Sequence, residues 1–224
     1  DVRFVCGGSP QNSGKAVAPY ARAKGLKAVT ALHLPKHFHL PSIPRDVLKL
    51  RTLYKEFKPH VVHFHMSNAH LLGTLAATGS CRFVRIRSCY GPLGPNKGLR
   101  SRLLYGHHTD GLIVIGRKAE ARATRSYSFP RNNMLIAEPG IDLDRFCPKR
   151  KVPFSREDFR LGHQASVIGM VTRIRQSRRI DVALGAIHLL AERFPHIRLL
   201  VVGRGRKGAK EEVVDGPART LGIT

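Results

Sequence analysis

Residues 59–77 read PHVVHFHMSNAHLLGTLAA, a β-branched and apolar run that passes within a few residues into a run of small side chains. The first part, 60–65, is typical of a buried strand, and the second part, 69–77, predicts a helix. The same succession recurs in both directions along the chain, where short apolar runs alternate with amphipathic ones. Strands that alternate with helices indicate βαβ units and a parallel sheet, so the sequence predicts an α/β fold.

The predicted elements fall into two groups on either side of a polar, basic stretch at 149–163, which has the composition of a linker. Before it, the predicted strands are 2–6, 26–32, 60–65, 82–87, 111–115 and 133–137, and the predicted helices are 15–24, 45–57, 69–77, 99–107 and 117–126. After it come strands 166–171 and 197–202 and helices 179–193 and 207–214. We therefore predict two doubly wound, parallel-sheet domains, residues 1–150 and 151–224. The second has too few βα units to close a stable sheet alone, and it is predicted to be incomplete.

Net charge is the most unusual property of the composition. The 224 residues include 39 Lys and Arg against 15 Asp and Glu, which gives a formal net charge of +24. Such a surplus attracts polyanions, whether nucleic acid, anionic lipid or a phosphorylated substrate. Trp is absent, aromatic residues are 7%, and no zinc-finger, RNA-recognition or basic-zipper spacing occurs, which disfavours a specific nucleic-acid reader. An anionic membrane leaflet suits a polybasic surface at least as well.

Other features of the composition exclude several classes of protein. The apolar runs are only a few residues long, which excludes a membrane-spanning helix, and a hydrophobic content of 42% argues against wholesale disorder. The cysteines Cys6, Cys81, Cys89 and Cys147 form no C-x-x-C pair, so they predict reduced thiols in a cytoplasmic protein rather than a disulfide framework or a zinc site. Residues 1–5 read as the start of a strand and not as a signal peptide.

Two glycine-rich turns follow predicted strands and approach known phosphate-binding patterns without matching them. Residues 7–16, GGSPQNSGKA, place five residues where a P-loop has four, and Ala16 lacks the hydroxyl that would hold Mg²⁺. An ordinary glycine-rich turn is therefore favoured there over an NTPase. Gly203, Gly205 and Gly208 match the dinucleotide-binding pattern formally, yet no acidic residue ends a following strand, so a plain glycine turn is favoured again.

Two histidines alternate at the end of the predicted strand 60–65, where His63 and His65 share one face. No carboxylate or cysteine lies near them in sequence to complete a metal site. Ligands of open α/β sheets bind beyond the carboxyl ends of the strands, so both histidines are predicted to line a substrate crevice. Plain packing and metal binding remain the alternatives.

Arginines crowd the turn at 173–179, RIRQSRR, which follows the predicted strand 166–171 and precedes a helix. The N–H groups at the start of a helix bind anions, and guanidinium groups fit the oxygens of a diphosphate. Arg173 and Arg178 are therefore candidates to clamp a diphosphate. A solvated basic loop is the alternative.

Several segments, taken in order, resemble the retaining glycosyltransferases known as group 1 or family 4. Residues 59–65 with 71–77 are similar to a strand and helix of the acceptor domain, and 137–148, AEPGIDLDRFCP, are similar to the segment before the domain crossover. Residues 167–174, VIGMVTRI, are similar to the start of the donor domain, and 198–205, RLLVVGRG, are similar to its next strand. The resemblance implies the GT-B architecture of two facing Rossmann-like domains. It also implies transfer of a sugar, with retention, from a nucleotide-sugar to an acceptor hydroxyl, with no metal and no cofactor.

The resemblance further implies roles for individual residues. The Arg and Lys with which the family holds the donor diphosphate correspond to Arg173 and Arg178, and Arg179 stands where the family has Gly. A histidine that contacts the sugar in the family corresponds here to Ser88, and His65 is the substitute candidate. His65 and Ser88 are therefore the predicted catalytic residues.

The glycine turn and the two ends of the chain complete this comparison with the family. Gly203 and Gly205 correspond to the turn after the second donor-domain strand, and the Asp-x-Asp of Asp142 and Asp144 is predicted to be structural and not a metal site. Compared with the family, we expect the chain to lack the first strand with its glycine-rich loop at one end. We also expect it to lack the glutamate-containing stretch that binds the donor sugar at the other end, which leaves the donor domain incomplete.

The leading hypothesis is a glycosyltransferase of cell-surface polysaccharide or glycolipid synthesis, with a nucleotide-sugar donor and a glycan or lipid-linked acceptor. We expect it in the cytoplasm, peripheral at the inner membrane face, with no specific nucleic-acid partner. Two alternatives stay open: a non-catalytic basic module that binds nucleic acid or an anionic membrane, and an inactive scaffold with the same fold.

Overall fold

The computed structural model describes residues 1–7, 14–34, 40–79, 82–91, 94, 98–148 and 154–223. The chain divides into two compact units, Asp1–Ile141 and Asp142–Thr224. The domain boundary predicted between residues 150 and 151, the centre of the glycine-rich turn 7–16, and Cys81 lie outside the described residues.

Unit 1 alternates strands with helices from its first residues to its last. The strands are β1 (Arg3–Gly7), β2 (Lys27–Leu32), β3 (Val61–Phe64), β4 (Val84–Cys89), β5 (Gly111–Val114) and β6 (Met134–Ile136). The helices are α1 (Gly14–Ala23), α2 (Ile43–Phe57), α3 (Ser67–Ala77), α4 (Leu99–His107) and α5 (Arg117–Tyr127). Within the described ranges, β1 pairs with β2, and β3, β4, β5 and β6 pair in that order, each pair in parallel. The predicted parallel α/β fold is confirmed.

Strand β4 differs from its prediction in a way that affects the candidate site. The predicted strand 82–87 ends too early, because backbone pairing with β5 continues until Cys89 lies opposite Val114. Ser88 therefore lies inside the strand and not in the loop after it. The prediction was wrong because Ser88 was read as the first residue after the strand.

The core of unit 1 packs α3 against α2, and α3 also lies close against β3. Leu50 and Tyr54 of α2 pack with Leu72 of α3 in one buried cluster, and burying each such side chain stabilises the fold by roughly 2 kcal/mol. Gly73 lets α3 approach β3 closely, because a Cβ atom at position 73 would lie 2.3 Å from the ring of Phe64.

Among the described residues, no helix combines the length and the apolarity needed to cross a bilayer.

Unit 2 contains β7 (Ser166–Val171), α6 (Ile180–Ala191), β8 (Ile197–Val202) and α7 (Gly216–Thr220), with β7 and β8 paired in parallel. Its core forms where Ile180 and Leu184 of α6 meet Val213 and pack against the β7–β8 pair. Leu199 and Val201 are the β8 side chains in that contact.

The helix predicted at 207–214 is wrong at both ends. Gly208 has a φ of +80°, which helical residues do not adopt, and the helical turns after it continue to Thr220. Residues Glu211–Asp215 form a π-helical turn, in which the N–H of Gly216 donates to the carbonyl of Glu211, five residues back. Pro217 follows and has no N–H to donate, so the wider turn precedes the residue at which regular α-helical bonding would fail.

Two glycines allow the segments after β7 and β8 to stay paired beyond the strands. The N–H of Thr172 donates to the carbonyl of Val202, and the N–H of Ile174 donates to that of Arg204, each at 2.9 Å. A Cβ atom at Gly203 would lie 1.7 Å from the carbonyl oxygen of Thr172, and one at Gly205 would lie 2.8 Å from that of Ile174. The turn therefore needs glycine at both positions because of backbone proximity.

We expect Gly203→Ala to lower the free energy of unfolding of unit 2 by about 2–3 kcal/mol, because the added methyl group would force the paired backbones apart. Urea unfolding followed by circular dichroism measures this change. Gly185→Ala in α6 is the control: nothing lies within 4 Å of its Cβ position, so it should raise stability by about 0.5–1 kcal/mol. A Gly203→Ala chain as stable as the wild type would contradict the close-approach argument.

Candidate functional site

Two histidines, a serine and a tyrosine lie together where β3 and β4 end. Because these strands pair in parallel, their carboxyl ends lie side by side. His63 Nε2 lies 2.7 Å from Ser88 Oγ, and His65 Nδ1 lies 2.6 Å from the Tyr90 hydroxyl. The ring centroids of His63 and His65 are 4.2 Å apart, and Tyr90 stacks on His65 at 5.9 Å. We call His63, His65, Ser88 and Tyr90 the His–Tyr cluster.

The structure brings the two predicted catalytic residues, His65 and Ser88, into this one cluster. Ser88 is buried, and its hydroxyl is bonded to His63, whereas Tyr90 is 60% exposed. The exposed members, His63, His65 and Tyr90, are the ones that a ligand can reach. The sequence analysis missed Tyr90, although it lies two residues after Ser88 and so on the same side of the extended chain.

Both histidines of the cluster favour the neutral form. Burial, and after it the charge of Arg87, lower the pKa of His63. Burial, and after it the charges of His63 and Arg87, lower the pKa of His65. At neutral pH each ring therefore retains a lone pair that can accept a proton from a hydroxyl group, which is the property of a general base.

The buried guanidinium group of Arg87 forms hydrogen bonds with residues beside the cluster. Its Nη1 donates to the carbonyl of Phe64 at 3.1 Å, its Nη2 lies 3.3 Å from Ser67 Oγ, and its Nε lies 3.5 Å from the Tyr105 hydroxyl. These bonds tie the end of β3 to the first residue of α3. The sequence analysis missed Arg87 because an arginine within a strand gives no sign of whether it is buried.

A third histidine, His70 on α3, is fully buried behind the cluster. It stacks on Phe64 at 5.0 Å, and its Nε2 lies 3.3 Å from the carbonyl of His108 and 3.2 Å from Thr109 Oγ1. Its Nδ1 is buried and finds no hydrogen-bond partner among the described residues. Burial is the main cause that lowers the pKa of His70 to about 4.

We expect the stability of the chain to fall as the pH drops from about 6.5 towards 4, because the unfolded chain protonates this histidine and the folded chain does not. His70 alone should contribute about 3 kcal/mol above pH 6.5, and this contribution is lost as the pH approaches its folded pKa of about 4. Urea unfolding at a series of pH values measures the slope. His70→Gln, which keeps a donor but cannot titrate, should show a shallower slope. An NMR titration that finds the folded pKa of His70 near 6.5 would contradict this assignment.

Unit 2 carries a second candidate site, a cavity of about 490 Å³ at the turns that follow β7 and β8. Its lining includes Arg173, Arg175, Arg204 and Arg206, with Gly205 between the two turns. We call it the arginine cavity. Arg206 forms an ion pair with Glu212, which also lines the cavity. Arg173, Arg175 and Arg204 form no ion pair within the described part of the chain, so the cavity has an excess of positive charge.

The predicted diphosphate-binding residues differ in their placement. Arg173 lines the arginine cavity, whereas Arg178, on the short helical turn Gln176–Arg178, is not part of its lining. The sequence analysis did not single out Arg175 or Arg204 for this site. Arg175 lies two residues after Arg173, and Arg204 lies one residue after Gly203. The backbone pairing of the two turns brings Arg175 and Arg204 to the same cavity.

Arg179 stands where the family that this sequence resembles has a glycine, and it adopts the left-handed backbone conformation that glycine adopts easily. Its φ is +53°, at the residue before α6. A side chain in this conformation costs about 1–2 kcal/mol. Its guanidinium pairs with Asp181 at 3.3 Å, and both side chains are exposed, so this pair offsets little of that cost.

The structure shows what the carboxylate of Asp142 does in the Asp-x-Asp segment. Its Oδ1 accepts the backbone N–H groups of Asp144 at 3.1 Å and Arg145 at 2.9 Å, so it closes a local turn. In the described residues, no three His, Cys, Asp or Glu side chains lie close enough together to hold a metal ion.

Comparison with known proteins relates unit 1 to a family of sugar-transferring enzymes. The profile of Glycosyltransferase Family 4 matches residues 1–145. A D-inositol 3-phosphate glycosyltransferase from Actinosynnema mirum is 33% identical over 119 residues, which cover 50% of this chain and 28% of that protein.

Two solved structures show a related fold. A glycosyltransferase from Rickettsia africae has a TM-score of 0.71 at 13% identity, covering 92% of this chain and 54% of that one. HepE from Anabaena, in complex with UDP-glucose, has a TM-score of 0.68 at 12% identity, covering 98% of this chain and 65% of that one. This chain thus spans only part of each relative. The likeness confirms the predicted fold class, the Rossmann-like α/β units of GT-B glycosyltransferases.

Proposed function

The chain belongs to glycosyltransferase family 4, and from this premise we propose that it takes part in transferring a sugar from a nucleotide-sugar to the hydroxyl group of an acceptor. The arginine cavity is the observation that carries the proposal. In a nucleotide-sugar of this class, a diphosphate joins the nucleoside to the sugar. The cavity offers the guanidinium groups of Arg173, Arg175 and Arg204, which form no ion pair within the described ranges.

The proposed donor chemistry follows from this charge. When the sugar leaves, negative charge develops on the departing diphosphate, and fixed cations stabilise that charge more than they stabilise the bound donor. Guanidinium groups suit the task because each offers a planar pair of donors to phosphate oxygens. HepE, which resembles this chain in fold, was solved with UDP-glucose, which supports a donor of this class.

The proposed acceptor chemistry rests on the His–Tyr cluster. His65 is exposed and carries a lowered pKa, so its neutral ring can accept a hydrogen bond from an acceptor hydroxyl. Tyr90 stacks beside it and offers a flat apolar face that a sugar or cyclitol ring can cover. Ser88, buried and bonded to His63, is proposed to position that ring rather than to touch a substrate.

The finer features of the reaction are part of the same proposal. We infer retention of the anomeric configuration, the use of no cofactor besides the two substrates, and a glycan or lipid-linked acceptor from the sequence resemblance. The curated relative in Actinosynnema mirum is a D-inositol 3-phosphate glycosyltransferase, which supports a polyhydroxylated acceptor. Synthesis of cell-surface polysaccharide or glycolipid is the role that we propose.

We expect Arg173→Gln to weaken binding of UDP-glucose to the 224-residue chain by roughly tenfold, because a charge-assisted bond to the diphosphate is lost. Isothermal titration calorimetry measures the affinity. Arg193→Gln is the matched control, because it removes the same charge from an exposed position that does not line the cavity. The same measurement on Arg178→Gln tests the second predicted diphosphate ligand.

Two outcomes would reject this donor site. One is an Arg173→Gln chain that binds UDP-glucose as tightly as the Arg193→Gln control. The other is a wild-type chain that ignores nucleotide-sugars and instead binds DNA with an affinity that falls steeply with salt. The second outcome would favour the basic binding module over the enzyme.

On the acceptor side, we expect His65→Gln to lower the release of UDP from UDP-glucose, measured with a panel of polyol acceptors, by about 100-fold through loss of a general base. The rate of the unchanged chain should fall as the pH drops through the pKa of His65, and the variant should lose that dependence. His188→Gln, an exposed histidine of α6, should behave as the wild type. Equal rates in both variants would remove His65 from the mechanism.

A further inference from the structure

Helices α4 and α5 of unit 1 form a basic groove whose described lining residues include none of the His–Tyr cluster. One cavity, of about 490 Å³, is lined by Lys118, Ala121, Arg122, Arg125 and Ser126. A second, of about 420 Å³, shares Arg125 and Ser126 and adds Gly98, Leu99, Arg102 and Tyr127. We call these residues together the α4–α5 groove. Among the residues that the structure describes, its lining contains four cations and no carboxylate.

The cations of α5 lie in one stripe along the helix. Lys118, Arg122 and Arg125 follow one another at spacings of four and three residues, which places them on the same face. Like charges at a spacing of four repel each other and weaken the helix, so this stripe opposes local stability. Glu120, the acidic residue of α5, is offset from the stripe and does not line either cavity.

Arg122 gives a second sign that the groove accommodates a ligand. Its Nε is buried and has no hydrogen-bond partner within the described part of the chain. A buried donor that remains unsatisfied destabilises the free protein, and an anionic oxygen entering the groove beside it would supply the missing acceptor. Small side chains at Ala121 and Ser126 leave space between the cations for such a group.

Exposed leucines beside the cations distinguish between the possible polyanions. Leu99 is 85% exposed and Leu103 is 57% exposed, one helical turn apart on α4. Tyr127, the aromatic residue of the lining, is buried and cannot stack on a base. Apolar side chains next to cations match the boundary between lipid headgroups and acyl chains, whereas single-stranded nucleic acid requires exposed aromatic rings.

We propose that the α4–α5 groove binds the phosphate headgroups of an anionic bilayer, with Leu99 and Leu103 entering the lipid surface. The cations supply long-range attraction to the leaflet, and the leucines supply the apolar contact that retains the protein there. The proposal is independent of the donor and acceptor sites, because none of the groove residues belongs to either.

Co-sedimentation with vesicles of phosphatidylglycerol and phosphatidylcholine, against vesicles of phosphatidylcholine alone, tests the proposal on the 224-residue chain. The triple variant Lys118→Gln/Arg122→Gln/Arg125→Gln should bind the anionic vesicles roughly 100-fold more weakly, at roughly fivefold per cation. The matched control is Lys24→Gln/Lys27→Gln/Lys55→Gln, which removes three exposed charges from the same unit. It should lose far less.

A second variant separates the groove from general attraction between a basic protein and an anionic surface. Leu99→Ser/Leu103→Ser leaves the charge unchanged and should weaken vesicle binding by roughly tenfold. All variants should keep the circular dichroism spectrum and the UDP-glucose affinity of the wild type, so a failure here is distinct from a failure of the proposed function.

Three results would overturn the proposal. The first is an equal loss of vesicle binding in the groove variant and in the lysine control. The second is vesicle binding by the leucine variant that equals that of the wild type. The third is binding of a short RNA to the groove while vesicles do not bind. The last would assign the groove to nucleic acid.

Discussion

Parallel backbone pairing brings the carboxyl ends of neighbouring strands side by side, and both candidate sites depend on this constraint. In unit 1 it places the residues after β3 next to those that end β4, so His65 meets Tyr90 although 25 positions separate them. In unit 2 the pairing continues past the strands themselves, and it carries Arg173 and Arg204 to the same cavity. Gly203 permits that continuation, because any side chain there would occupy the position of a backbone oxygen.

Positive charge has opposite uses in the two sites. In unit 1 the guanidinium of Arg87 is buried, hydrogen-bonded to the carbonyl of Phe64, and close enough to His63 and His65 to lower the pKa of both. Burial is the larger cause, and together with it the charge of Arg87 keeps the imidazoles neutral and able to accept protons. In unit 2 the arginines are exposed and surround a cavity, where they attract an anion. Burial decides between these uses: a buried cation must satisfy its donors within the protein, whereas an exposed one remains available to a ligand.

The sequence predicts most of the fold because local periodicity determines it, and it misses features that depend on distant pairing. Strands β7 and β8 are predicted at their exact bounds, since each is a short run dominated by β-branched and other apolar residues, with only Ser166 and Arg198 as polar members. Strand β4 is placed too early because its last residues, Ser88 and Cys89, belong to it only through their pairing with β5. The helix around residue 211 is misjudged because the effect of Pro217 on bonding several residues earlier is not visible in a hydrophobic pattern.

For the site, the sequence identifies His65, Ser88 and Arg173 as candidates, but the burial of Arg87 and the stacking of Tyr90 require three-dimensional contacts.

The net charge of +24 indicates a partner only when the positions of the cations on the molecule are known. In the arginine cavity, cations converge on a concave turn between paired backbones, a geometry that suits a compact anion such as a diphosphate. In the α4–α5 groove, cations follow a helix beside exposed leucines, a geometry that suits an extended anionic surface. The same residue types therefore favour different partners because their neighbours differ: two paired backbone turns in one case, and exposed leucines in the other. Composition shows that the chain attracts anions, and the shape and apolarity around each cluster indicate which anion fits.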